Sequence, residues 1–213
     1  MNKANSRSKI RARGWRVAVW VVVALAAFDE AVWAGKFNPK LSPGDAAPTW
    51  AQLPGVDGQS HSFQDYGSAR LLVVVFTCNH CPVAQAYEDR LIAVSRDYSG
   101  RGVQLVAINC NRLTVDQFPA MQERAKAKKF DFPYLFDASQ QIGRAYGARV
   151  TPEVFVVDRE RRVAFQGAID DNWQAADQAK TPYLRQALDA LLAGRAPEPA
   201  ETKPVGCGIQ YED

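Results

Sequence analysis

Continuous apolar runs and helical-period stretches alternate along most of this chain. Leu71–Phe76 ("LLVVVF") is unbroken, apolar and β-branched, which predicts a strand buried on both faces. From Pro82 to Tyr98 the period becomes helical, with Val83, Tyr87, Leu91, Val94 and Tyr98 on one stripe. Gly100 and Gly102 end it. Val103–Asn109 ("VQLVAIN") predicts a second buried strand. Val115–Lys129 predicts a charged helix with Pro119 in its first turn, and Ser139–Tyr146 a short one. Glu153–Asp158 and Arg162–Ile169 predict two strands joined at Arg159–Arg161. Thr181 reads as an N-cap and Pro182 as the first helical position, with Leu184, Leu188, Leu191 and Leu192 facing inward. Ahead of all these, Thr49–Phe63 carries a hairpin signal at Asp57-Gly58. The order is β-hairpin, β, α, β, α, α, β, β, α. It predicts an α/β fold: a central mixed β-sheet flanked by helices, with an N-terminal β-hairpin.

The ends of the chain follow other patterns. A basic segment ending at Arg16 precedes an apolar run, Val17–Phe28, and then "DEAVWAG". That is the order of a secretory signal, and the run is short of the roughly 20 residues that span a bilayer. Residues 1–34 are therefore expected to be a signal peptide cleaved near Ala34, or an uncleaved membrane anchor. Either would put the domain in the periplasm or otherwise outside the cytoplasm, where disulfides are permitted. Residues 35–48 read as a Pro- and Gly-punctuated linker, 49–194 as the domain, and 195–213 as a Pro-rich tail holding Cys207. The leader holds six basic and two acidic residues, so the net charge of +3 becomes 20 basic against 21 acidic beyond it. That balance gives no electrostatic case for nucleic acid.

The chemistry resides in four cysteines, Cys78, Cys81, Cys110 and Cys207. Cys78 and Cys81 bracket "NH" between the first long strand and the first long helix. Spaced i, i+3 at a helix start, they can close a small disulfide ring. The helix N-terminus and a protonated His80 would both favour a thiolate there. A zinc clip needs a second paired set of ligands, and His61, Cys110 and Cys207 are each isolated. A purely structural bridge over so short a loop removes little chain entropy. Redox chemistry is the better expectation, with no metal and no bound cofactor.

Cys110 follows a parallel strand and is expected on the same sheet edge as Cys78, or simply as a small buried hydrophobe. Cys207 lies between Gly206 and Gly208. A Cys110–Cys207 bridge is one of three pairings open to four cysteines, and Cys207 as an extra resolving thiol is another role. Asp170–Trp173 reads as a polar turn. Glu88 and Asp89 read as the solvated face of the first helix, and His61 has no evident partner.

Over about Leu41 to Leu192 the chain resembles the thioredoxin-like superfamily. "GDAAPTW…DGQSHSF" is similar to the hairpin of peroxiredoxins and of exported TlpA/ResA-type proteins. "FTCNHCP" resembles the redox motif, and "RVTPEVFVVD" the segment with the cis-proline, here Pro152. "TCNHCP", "AYEDRL", "AYGA…TP", "IDDNW" and the ending with Cys207 and Ile209 resemble the peroxiredoxin-like (AhpC/TSA-related) thioredoxin-family proteins. The resemblance implies that Cys78 attacks and Cys81 resolves, that His80 tunes their acidity, and that Thr151 and Pro152 present backbone to an extended substrate. It implies protein thiol or disulfide substrates and a redox partner protein.

Two rival chemistries remain. Peroxiredoxins carry Thr or Ser three residues before the peroxidatic cysteine; Thr77 fits neither Cys78 nor Cys81 in that register. Copper-handling thioredoxin folds use CxxxC and a late histidine, whereas no histidine follows His80 here.

Overall fold

The computed structural model describes Met1 and residues 35–212, so the leader expected over residues 1–34 lies outside the described residues. No helix among them is long and apolar enough to cross a membrane. The hairpin forms as expected from β1 (Leu53–Pro54) and β2 (Ser60–His61), with Gly58 at φ +80° in the turn. Then follow β3 (Leu71–Phe76), α1 (Pro82–Ser99), β4 (Val103–Asn109), α2 (Phe118–Lys128), β5 (Tyr134–Phe136), α3 (Gln141–Tyr146) and β6 (Val150–Thr151). The chain closes with β7 (Glu153–Val157), β8 (Val163–Gly167), α4 (Tyr183–Leu192) and β9 (Cys207–Gly208).

The central sheet has the order β5-β4-β3-β7-β8. β3, β4 and β5 run parallel, while β7 is antiparallel to both β3 and β8. Every residue of β3 is buried, because alternate side chains feed two layers. Val73 and Val75 pack with α1, α2 and α4 through Tyr87, Leu91, Met121, Leu184 and Leu188. Leu72, Val74 and Phe76 pack against Trp50, Phe63 and Tyr146 on the other side. This is the expected thioredoxin-like α/β fold.

Several elements depart from the sequence reading. β5 follows Pro133 directly and is only three residues long, too short to carry a periodic signal of its own. The helix read over Val115–Lys129 divides into a 3-10 turn at Thr114–Asp116 and α2. Pro182, rather than Thr181, stands at the N-cap of α4, without a side-chain hydrogen bond. Glu88 is not solvated: α2 lies over it, and Arg124 meets its carboxylate through two 2.7 Å hydrogen bonds. His61 has partners, Asp57 at 2.9 Å and the Tyr66 hydroxyl at 3.1 Å.

Both flanking segments dock. In the 35–48 segment, Leu41 and Ala47 enter the core, and the amides of Lys36, Phe37 and Asn38 donate to the Glu201 carboxylate in the tail. Further along the tail, Thr202 Oγ1 accepts the Ala168 amide at 2.8 Å. Beyond β9, Ile209 and Tyr211 pack on the second core layer. The Gln140 side chain donates to the Gln210 carbonyl at 2.9 Å and accepts the Glu212 amide at 2.8 Å. Arg112 and Arg144 both bond Glu212.

Candidate redox site

β3 ends two residues before Cys78, and α1 begins at Pro82. The five residues between them, Thr77 to Cys81, make a loop at the carboxyl edge of the parallel strands. A proline at the first helical position needs no amide partner, which fixes the helix start one residue after Cys81. Cys81 is therefore the N-cap, and its sulfur accepts the Ala84 amide at 3.4 Å. Cys78, three residues earlier, lies in the loop outside the helix.

Thr151 faces both sulfurs. Its Oγ1 lies 3.0 Å from Cys78 Sγ, and its carbonyl oxygen lies 3.0 Å from Cys81 Sγ. The following Thr151-Pro152 peptide bond is cis, as the resemblance implied. Both cysteines are buried, Cys78 at 2% and Cys81 at 0% relative exposure. All four cysteines are free thiols here.

The two thiols titrate as a pair: the contact between their sulfurs lets one ionise while the other keeps its proton. Burial opposes ionisation of both, and the nearby Asp116 charge adds to that on Cys78. The Thr151 hydroxyl favours the charged form of Cys78, and the Ala84 and Cys207 amides that of Cys81.

His80 is half-buried. Its Nδ1 lies 2.5 Å from Oδ2 of Asp116, which is wholly buried. Oδ1 of Asp116 accepts the amides of Asn79 at 2.7 Å and His80 at 3.1 Å. Asn79 is held in turn by Tyr134 Oη at 3.1 Å, and its carbonyl by Gln85 at 2.6 Å. Sequence reasoning missed Asp116, because it lies in a 3-10 turn 36 residues from His80 with no local spacing signal. Cys78, His80 and Asp116 bring one ligand atom each within 4.8 Å of one another. Those atoms are already committed to hydrogen bonds with each other or with Thr151.

The remaining thiols separate. Cys110 follows β4 at the same sheet edge but points into the opposite layer. Burial, then the Asp137 charge, pushes it up to about 12, with the Tyr211 hydroxyl as its hydrogen-bond partner. Cys207 packs against the layer that holds Cys78 and Cys81. Partial burial, then the neighbouring Cys81 sulfur, pushes its thiol up to about 11. A Cys110–Cys207 pairing therefore does not match the geometry. Asp170 accepts from Tyr87 at 2.7 Å and Arg90 at 2.5 Å, a clamp on α1 that explains the polar turn after β8 without chemistry.

Comparison with known proteins adds a lineage. Residues 43–166 match the AhpC/TSA family. Thiol-disulfide oxidoreductase ResA of Geobacillus thermodenitrificans is 26% identical over 151 residues, covering 68% of this chain and 81% of that protein. The crystal structure of an uncharacterized conserved protein from Geobacillus kaustophilus is 34% identical with a TM-score of 0.76, over 80% of this chain and 93% of that one. A hypothetical protein from Sinorhizobium meliloti 1021 is 31% identical with a TM-score of 0.76, over 82% and 97%.

Proposed function

The chain belongs to the AhpC/TSA family, and on that premise we propose that it is a thiol–disulfide oxidoreductase whose redox couple is Cys78 with Cys81. The supporting observation is the convergence of both sulfurs, each 3.0 Å from an oxygen of Thr151, beside a cis-proline at a helix start. The Cys78 thiolate, beside the Thr151 hydroxyl, attacks a substrate disulfide, forming a mixed disulfide and releasing one substrate thiolate. Cys81 then gives its proton to that thiolate and attacks Cys78 Sγ. The Cys78–Cys81 bond forms and the second substrate thiolate leaves. The substrate gains two electrons and the couple loses them; a partner dithiol runs the same steps in reverse.

His80 and Asp116 position the loop, while Thr151 and Pro152 present backbone to the substrate chain. The basic-then-apolar leader over residues 1–34 supports an exported or membrane-tethered protein, with the domain at 49–194 acting on protein thiols outside the cytoplasm. The ending of the chain and "TCNHCP" support membership of the peroxiredoxin-like thioredoxin group.

The test is trapping. Cys81→Ser should accumulate a mixed disulfide on Cys78 with a model disulfide peptide, and Cys78→Ser should accumulate none. Equal trapping by both variants would overturn the assigned roles, and trapping by neither would overturn the couple. A second reading, thiol peroxidase, is favoured by the AhpC/TSA match and by a cysteine at the helix N-cap. Rapid consumption of hydrogen peroxide by the reduced protein would select it.

A further inference from the structure

β6 carries the backbone of Thr151, and β9 is its one strand partner among the described residues. The register is antiparallel, Thr151 opposite Cys207 and Val150 opposite Gly208, and it continues as the Ile209 amide donates to the Arg149 carbonyl at 2.8 Å. Addition of an extended segment to a free strand edge is a general mode of peptide recognition. The tail thus lies where a substrate chain would pair, and it brings a cysteine to the residue that faces both redox sulfurs. The approach is close: a Cβ built on Gly206 would stand 2.0 Å from the Thr151 carbonyl oxygen, so only glycine fits. Cys207 packs on the layer that holds Cys78 and Cys81, while Cys110 lies in the other.

We propose that the tail is an internal substrate and Cys207 a third redox thiol, which exchanges onto Cys81 to form a Cys81–Cys207 disulfide. This rests on the redox couple assigned above. In the step, Cys207 gives up its proton and attacks Cys81 Sγ in the Cys78–Cys81 disulfide. The Cys81–Cys207 bond forms, the Cys78–Cys81 bond breaks, and the proton ends on Cys78. No electrons enter or leave. The strand register agrees with that outcome, since it sets Cys207 opposite Thr151, whose carbonyl lies 3.0 Å from Cys81 Sγ. The oxidised protein is then an interchange between two disulfides, one of which fastens the tail over the substrate edge.

The experiment uses the full chain carrying Cys78→Ser, treated with oxidised glutathione, quenched in acid, alkylated, digested and mapped by mass spectrometry. The expected product is a Cys81–Cys207 link. Glutathione retained on Cys81 beside an alkylated Cys207 overturns the proposal, and so does a Cys110–Cys207 link. Adding Gly206→Val should move Cys81 toward the glutathione adduct by about tenfold or more, because a docked thiol competes at an effective concentration that detachment removes. An unchanged link yield in that variant also overturns it. Cys207→Ser tests the couple separately. If a Cys78–Cys81 disulfide fails to form there, the couple falls and the exchange with it; if it forms while the Cys81–Cys207 link is missing from Cys78→Ser, the exchange alone falls.

Discussion

Oδ2 of Asp116 lies 2.5 Å from Nδ1 of His80, while its other oxygen takes the backbone amide of the same histidine. One buried carboxylate therefore holds both the ring and the main chain of the loop between the cysteines. Its charge also raises the Cys78 thiol. Asp116→Asn should cost about 1–3 kcal/mol in urea unfolding, since buried acceptors are removed from their donors. In the folded variant Cys78 should become more acidic. A Cys78 that alkylates with an unchanged pH profile would show that the carboxylate does not act on it.

The contact between Cys78 and Cys81 is the largest influence on the acidity of both thiols. Cys78→Ala should therefore leave Cys81 titrating near the ordinary thiol value of roughly 8.5. Thiolate absorbance in the ultraviolet against pH reads the shift directly. A profile that stays at the wild-type midpoint would assign the effect to the helix end and Cys207 instead.

Glu153 follows Pro152, and burial raises its carboxyl from 4.5 to about 6. The folded chain thus holds its proton more tightly than the unfolded chain. That contribution is complete below about 4.5 and is lost as the pH rises through about 6. Glu153→Gln keeps an acceptor for the Arg149 and Val150 amides and carries no charge. It should match wild type in mild acid and exceed its stability at neutral pH by about 2 kcal/mol. Equal denaturation midpoints at both pH values would refute this.

Glu88 lies in the α1–α2 contact with Arg124 across it and Lys128 at 3.7 Å. Arg124→Ala should destabilise the protein by about 3 kcal/mol by leaving that carboxylate short of its partner. The double variant Glu88→Gln, Arg124→Ala should recover part of the loss. Additive losses in the double-mutant cycle would mean that the pair is not coupled.

Elements that form one long strand or one long helix were legible in the sequence. Leu71–Phe76 and Val103–Asn109 match their strands at both ends, because an apolar run buried on both faces needs no partner information to be recognised. β5, β6 and β9 were not legible. They are two or three residues long, and only the strands they pair with make them strands. The two-cysteine motif and the cis-proline could be read locally. Asp116 and the seat of Cys207 could not, since each acts on the site from a distant part of the chain. Cys81 at the N-cap was obscured by the same pattern that revealed the motif: Pro82 sets the helix start, and the spacing of the cysteines does not report it.

The tail that covers the site is fastened at its far end by the Gln140 side chain and by two arginines on Glu212. Arg112 and Glu212 are both exposed, so their attraction weakens as dissolved ions shorten its reach. Salt therefore loosens only this outermost fastening, worth about 0–1 kcal/mol, while the β6–β9 pairing and the packed Ile209 and Tyr211 keep the tail seated.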